Sequence, residues 1–228
     1  MDNHESRPDS TEHRVLSAAC KVFALKGFHE ATIAEICEAA GANIAAVNYY
    51  FRSKENLYVE AWRHAFARSV AAHPPDGGVP ADAPPEERLC GRIQSIIQRI
   101  SDPDCWELEI VHKEMANPTG LLTDTMHESI EPIQAAFELV VRDLLGPQAT
   151  DEHVHLCVMS IRAQCFGPML HERRRRMQPG DPPPPVPPRV EVSGDAYAEH
   201  VTRFSLAGIR ELRRQIESDQ PEDSELPQ

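Results

Sequence analysis

The chain has 228 residues, 41% hydrophobic and 26% charged, an ordinary balance for one large or two modest folded domains. Its net charge of −13 excludes a uniformly basic nucleic-acid coat. No apolar run approaches the ~18 residues of a membrane-spanning helix, so no membrane partner is expected.

Residues 7–68 hold eight Lys/Arg against seven Asp/Glu, and residues 1–6 add two acids, so 69–228 carries −12 of the total. A near-neutral N-terminal module is joined to a strongly acidic remainder that repels phosphate. Any nucleic-acid contact therefore falls to the N-terminal module. The opening MDNHESRPDSTEH is polar and acidic and lacks the greasy segment of a signal peptide, which predicts a cytoplasmic protein. The six cysteines include no CxxC pair and read as small buried hydrophobes rather than a disulfide framework.

Apolar spacing predicts helix almost throughout, with no strand-like alternation, hence an all-α fold. Residues 1–10 read as a disordered arm. A first helix over 11–26 buries Val15, Leu16, Ala19, Val22 and Phe23, and Gly27 ends it. Thr32-Ile33-Ala34-Glu35 is a capping box that opens a short second helix, stopped by Gly41. Asn43 caps a third helix over 44–50. Ser53 caps a fourth, 54–72, with Leu57, Tyr58 and Trp62 on its buried stripe. The run HPPDGGVP breaks the chain after it. Further helices are expected from Pro85 to about Ile100, around Trp106–Met115, over 120–145 with Pro132 as a kink, over 151–177 with a kink at Gly167-Pro168, and over 194–218. A stiff Pro-rich loop over 178–192 and an acidic tail, 219–228, complete the chain.

Two short helices joined by Ala40-Gly41-Ala42-Asn43 are a helix-turn-helix signature. At about 100° per residue, Ile44, Val47 and Phe51 fall on one face of the third helix, and Ala45, Ala46, Tyr49 and Tyr50 on the other, with Asn48 on the flank. Alanines let a helix approach the major groove closely and can touch a thymine methyl. Tyrosine hydroxyls can donate to phosphate, and Ser53 and Lys54 stand where a helix N-terminus favours an anion. Such contacts fix register rather than read sequence. The bland alternative is a three-helix packing corner with surface tyrosines.

The stretches RVLSAACKVFALKGF (14–28) and ATIAEICEAAGANIAAVNYYFRSKENL (31–57) resemble the DNA-binding domain of the TetR/AcrR family of bacterial transcriptional regulators. The resemblance rests on Thr32, Ile36, Ala40-Gly41, Tyr49, Phe51, Ser53-Lys54 and Leu57. It implies an all-α homodimer with a helix-turn-helix domain at 11–56, and a ligand-binding and dimerisation domain at 57–218 that begins with the connecting helix 54–72. Within the family the chain looks most like CecR-type regulators, from ANIAAVNYYF and from Glu114–Thr119 and Arg203–Ile209. It departs where many members have a DNA-contacting Tyr, here Asn48, and where His is frequent, here Tyr50. The implied DNA-binding set is Thr32, Asn43, Ala45, Ala46, Asn48, Tyr49, Tyr50, Ser53 and Lys54, with Asn48 suited to an adenine edge.

The expected function is a repressor bound as a homodimer to a pseudo-palindromic operator, released by a small hydrophobic or amphipathic ligand. The alternative is a DNA-binding regulator without such an inducer, constitutive or controlled by a protein partner. Trp106, Ile110, Met115, Phe137, Gln164, Phe166 and Met169 are candidate pocket lining. Ile161, Phe204, Gly208 and Leu212 are candidate dimer contacts. His153, His155 and Cys157 turn about 200° per step on a helix and do not converge on a metal. Arg173–Arg176 complements a helix C-terminus. No catalytic constellation stands out, so neither an enzyme, a cofactor nor a metal is expected.

Overall fold

The computed structural model describes residues 10–177 and 192–218, with side chains over 10–167 and 192–218. Residues 1–9 of the expected arm, the Pro-rich loop apart from Val192, the acidic tail, and the side chains of Met169 and Arg173–Arg176 lie outside the described residues. Among these, nine helices follow in order. They are α1 (Thr11–Glu30), α2 (Ile33–Ala40), α3 (Ile44–Phe51), α4 (Lys54–Ala72), α5 (Pro85–Ser101), α6 (Glu107–Ala116), α7 (Thr123–Leu145), α8 (Asp151–Met177) and α9 (Gly194–Ser218). The fold is all-α, as the apolar spacing requires.

The chain divides into two compact units, one within Met1–Ala72 and Pro103–Ile130, the other within His73–Asp102 and Glu131–Gln228. The boundary does not follow the domain bounds read from the sequence. The reason is the hydrophobic core. Ile110 of α6 and Leu122 are fully buried with Phe23, Ile36, Leu57, Tyr58 and Trp62 of α1, α2 and α4.

The first unit is assembled from well-capped helices. Ser10 accepts the His13 N–H at 3.1 Å to start α1. The helix breaks at Gly27, with φ 76° and ψ 177°, and a last turn carries Phe28 back toward the core. Phe23, Phe28 and Tyr58 form an aromatic cluster with ring centroids 4.8–6.5 Å apart. Such edge and offset pairs add to the area they bury. The Tyr58 hydroxyl donates to Glu114 Oε2 at 3.0 Å. Glu114 also receives the Thr119 N–H and hydroxyl and the Gly120 N–H. One carboxylate thus ties α4 to the α6–α7 corner. Burial pushes the Tyr58 phenol well above its ordinary range, and the Glu114 charge beside it pushes the same way.

In the second unit, α5 begins with Pro85 at its first position and Glu86 and Glu87 in its first turn, an arrangement that suits a helix N-terminus. Leu89, Ile93 and Ile97 pack with Val140, Val141 and Leu145 of α7, Val154, Cys157, Val158, Ile161 and Cys165 of α8, and Ala198, Val201 and Ile209 of α9. The loop before α5 crosses that helix backbone to backbone. A Cβ at Gly91 would lie 2.4 Å from the Asp76 carbonyl oxygen, so only glycine fits there. Helix α7 runs through Pro132, and α8 runs through Gly167-Pro168. Cys20, Cys37, Cys105, Cys157 and Cys165 are buried thiols and Cys90 is half-buried.

Candidate nucleic-acid interface

The turn between α2 and α3 is fixed by three local devices. Thr32 and Glu35 form the reciprocal capping box that starts α2. Gly41 ends α2 in the left-handed region (φ 58°, ψ 39°), where a side chain would be strained. The Asn43 side chain then accepts the Ala46 N–H at 2.9 Å and starts α3. Together they end α2, turn the chain and start α3 through bonds made within four residues.

Helix α3 is anchored by Val47, 1% exposed, and Phe51, both buried in the first core. Ala45, Asn48, Tyr49 and Tyr50 face outward, Tyr49 at 80% exposure, and Ala46 is half-buried. The two tyrosine rings meet edge to face with centroids 5.0 Å apart. Ile44, expected on the inner face, is instead 54% exposed. It is the first residue of α3, and helical side chains lean toward the N-terminus, so it projects past the packed end.

The chain leaves α3 through Arg52, the one non-glycine residue with positive φ among those described (φ 68°, ψ −44°). The Ser53 N–H donates to the Phe51 carbonyl at 2.8 Å, closing a tight γ-turn of the strained, positive-φ kind. Such strain is worth about 1–3 kcal/mol. Arg52→Gly is therefore expected to raise stability by about 1 kcal/mol, a gain of a few degrees in thermal melting; a lower melting temperature would show that the Arg52 side chain more than offsets the strain.

Beyond the turn, Ser53 accepts the Asn56 N–H at 3.2 Å, opening α4. The Lys54 ammonium lies 4.5 Å over the centre of the Phe28 ring, a cation–π contact that holds it in place. Glu55 is held below the ordinary carboxylate range, first by its own backbone N–H and then by the Ser53 hydroxyl. Thr32 is exposed, but its single hydroxyl proton goes to Glu35 Oε2 at 3.0 Å. The Lys26 ammonium pairs with the same carboxylate, and that hydrogen bond is the chief reason its pKa is lowered. Thr32 thus serves the start of α2.

The outer face of α3 borders a notch of about 380 Å³. Its walls are Thr11 and Arg14 of α1, the turn residues Gly41, Ala42 and Asn43, and Ala46, Tyr49 and Tyr50 of α3. Thr11 and Arg14 were not among the candidates drawn from sequence. The available signal was a basic residue in the first turn of the helix preceding the motif.

The other candidates scatter. Trp106 and Ile110 belong to the first core, and Phe137 and Phe166 to the second. The Gln164 backbone carbonyl accepts the Tyr197 hydroxyl at 2.6 Å. Met115 is 75% exposed and lines no interior space. It sits five residues after buried Ile110, about 140° round the helix. Ile161, expected at a dimer contact, is buried in its own chain on the inward stripe of α8. Among the described residues of α8 the large exposed apolar ones are Leu156 and Met159, which sequence reasoning missed. On α9, Phe204 is 63% exposed, and Gly208 and Leu212 follow it at four-residue steps, also exposed.

Two capped short helices set by a left-handed glycine, the second presenting small and phenolic side chains outward, define a helix-turn-helix DNA-binding protein. The family model of bacterial regulatory proteins of the tetR family matches residues 15–61. That of the C-terminal domain of the HTH-type transcriptional dual regulator CecR matches residues 85–209, more than half of the chain. The chain belongs to the TetR family of transcriptional regulators and carries a CecR-type C-terminal domain.

The HTH-type transcriptional repressor NicS of Pseudomonas putida is 30% identical over 123 residues, 54% of this chain and 51% of NicS, so the match spans about half of that relative. The dual regulator CecR of Shigella flexneri is 26% identical over 177 residues, 70% of this chain and 77% of CecR. Among solved structures, a TetR-like transcriptional regulator from Rhodococcus sp. RHA1 superposes with a TM-score of 0.65 at 17% identity, covering 89% of this chain and 97% of its own. That likeness is one of fold. No helix among the described residues is long and apolar enough to cross a membrane.

Proposed function

We propose that the chain acts in the cytoplasm as a homodimeric repressor that holds a pseudo-palindromic operator through α3 of each protomer and releases it when a small hydrophobic or amphipathic molecule binds the helices after α4. The observation that carries this reading is the outer face of α3, exposed and free of acidic side chains while Val47 and Phe51 hold the helix from beneath. In this reading Ala45 and Ala46 admit the helix into the major groove and Asn48 bonds a base edge. Tyr49, Tyr50, Ser53 and Lys54 contact phosphates and set register, and Asn43 presents the start of α3. Thr32 acts indirectly, through the capping box. The repressor sense follows NicS by name; CecR, by name a dual regulator, leaves activation at other promoters as part of the same reading.

Dimer contacts are assigned to the exposed apolar stripe Phe204–Gly208–Leu212 of α9 and to Leu156 and Met159 of α8. Two heads on one dimer meet half-sites about one helical turn, or a multiple of it, apart. The ligand works by favouring a dimer state whose heads no longer match that spacing, which is a difference in affinity between two states.

The test is a mobility-shift and footprinting assay on the DNA upstream of the protein's own coding sequence. A protected, two-fold symmetric site supports the reading; binding no tighter than to random DNA overturns it. Tyr49→Ala is expected to lose the footprint with an unchanged circular dichroism spectrum. Lys54→Ala is expected to weaken binding on all sequences and to reduce the salt slope by about one unit per protomer. An unchanged slope removes Lys54 from the contact set.

A further inference from the structure

On the footing of the operator contact proposed for Lys54, we infer that Phe28, on the last turn of α1, is a positioning residue for DNA binding: its ring seats the Lys54 ammonium before any DNA arrives, and the break in α1 at Gly27 is what brings the ring there. A lysine ends in a compact charge on a flexible four-carbon stem, and fixing that stem on binding costs entropy. Lys54 is half-buried and starts from a fixed place. Its ammonium lies 4.5 Å from the centre of the Phe28 ring, over the electron-rich face. The ring takes one side of the ammonium, and of its three N–H donors those on the other side stay turned away from the ring. The neighbouring acid, Glu55, is engaged by its own backbone N–H and by the Ser53 hydroxyl.

The ring is itself held. Gly27 has φ 76° and ψ 177°, a backbone region that residues with a Cβ avoid, and it turns the end of α1 out of its helical path. The Phe28 ring then lies with its centroid 5.1 Å from Tyr58, 5.4 Å from His29 and 6.5 Å from Phe23. Tyr58 follows Lys54 by four residues on α4, so the two side chains share one helix face. The Tyr58 hydroxyl donates to Glu114 Oε2 at 3.0 Å, which fixes the phenol from the far side. Lys54, Phe28 and Tyr58 thus form one assembly: an anchored phenol, a ring against it, and a charge on the ring. Packing against Phe23 and Tyr58 asks only for an apolar group at position 28, which leucine would meet. The ammonium asks for an aromatic face, which leucine lacks.

The experiment is a double-mutant cycle in the full-length protein, with affinity for the footprinted upstream site and for a random duplex of the same length read by fluorescence anisotropy. Phe28→Leu keeps apolar bulk and loses the aromatic face, whereas Phe28→Tyr keeps the face. Phe28→Met, a flexible apolar filler, runs beside Phe28→Leu so that a folding defect in one does not decide the outcome. Phe28→Leu is expected to weaken binding about threefold per protomer, equally on both duplexes, and Phe28→Tyr to bind as the wild type does. In a Lys54→Ala background the same Phe28→Leu change is expected to have no further effect, because the charge that the ring seats is gone. A loss that persists in full without Lys54 would assign Phe28 to packing alone and overturn the proposal. So would Phe28→Tyr binding as weakly as Phe28→Leu, or Phe28→Leu binding more tightly than the wild type, which would mean that the ring holds the lysine back from DNA. Lys54→Ala with wild-type affinity and salt slope would overturn this inference and leave the operator reading standing, whereas wild-type protein that binds neither duplex would overturn both.

Discussion

Phe204→Asp is expected to convert the protein to a 25.5 kDa monomer in light scattering and to lower operator affinity by at least about a hundredfold. Phe204 stands 63% exposed on α9, with Gly208 and Leu212 one and two turns further along the same side. Among the described residues this stripe stays exposed, whereas Val201, Ser205 and Ile209 of the same helix face inward. Burying a phenylalanine against a partner is worth about 1.5–3 kcal/mol, and it counts twice across a two-fold axis. An aspartate in the same place puts two like charges face to face in a dry contact. The operator effect follows from linkage, because two joined heads bind the second half-site at a high effective concentration and separated heads do not. A dimer of unchanged mass would move the contact away from α9.

Glu114→Ala is expected to lower stability by about 3 kcal/mol, which for a chain of this size is a fall of roughly 6–12 °C in melting temperature. The wild-type carboxylate collects the Tyr58 hydroxyl, the Thr119 N–H and hydroxyl, and the Gly120 N–H. Hydrogen bonds to a charged acceptor are about twice as strong as neutral ones. Three of these donors lie at the half-exposed corner and can turn to water. The Tyr58 hydroxyl cannot, because the residue is fully buried, and an orphaned buried donor costs about 1–3 kcal/mol. Tyr58→Phe removes that donor with its acceptor contact and is expected to lose only about 1 kcal/mol. Equal losses in the two variants would show that Tyr58, not the corner, carries the whole effect.

What could be read from the sequence was local. Thr32 with Glu35, Gly41, Asn43 and Ser53 announce helix starts and stops through bonds made within four residues, and each makes that bond in the structure. The inward face of α4 follows from spacing alone, as Leu57, Tyr58 and Trp62 show. Misassignments came where a residue's surroundings are set by distant chain. Ile44 fits the periodic face of α3 but stands exposed at the first position of that helix. Met115 and Ile161 are apolar and helical, and apolarity does not say which way either one points. Arg14 and Glu114 are ordinary charged residues by composition. Their importance comes from Ala40, 26 residues on, and from Tyr58, 56 residues back. The outward face of α3, Ala45, Asn48, Tyr49 and Tyr50, was readable because it rides on one short helix with both ends marked.

The way the first core is filled bears on how this protein can be dissected. A fragment ending at Ala72 would keep every residue of the reading head and still be an unfinished object. It would lack Ile110 and Leu122, leaving a greasy scar where α1 and α4 now meet them, and the phenol of Tyr58 would face that scar with nothing to receive its proton. A minimal piece able to stand alone would need the stretch around α6 spliced back, although that stretch lies thirty residues downstream of the helix it completes.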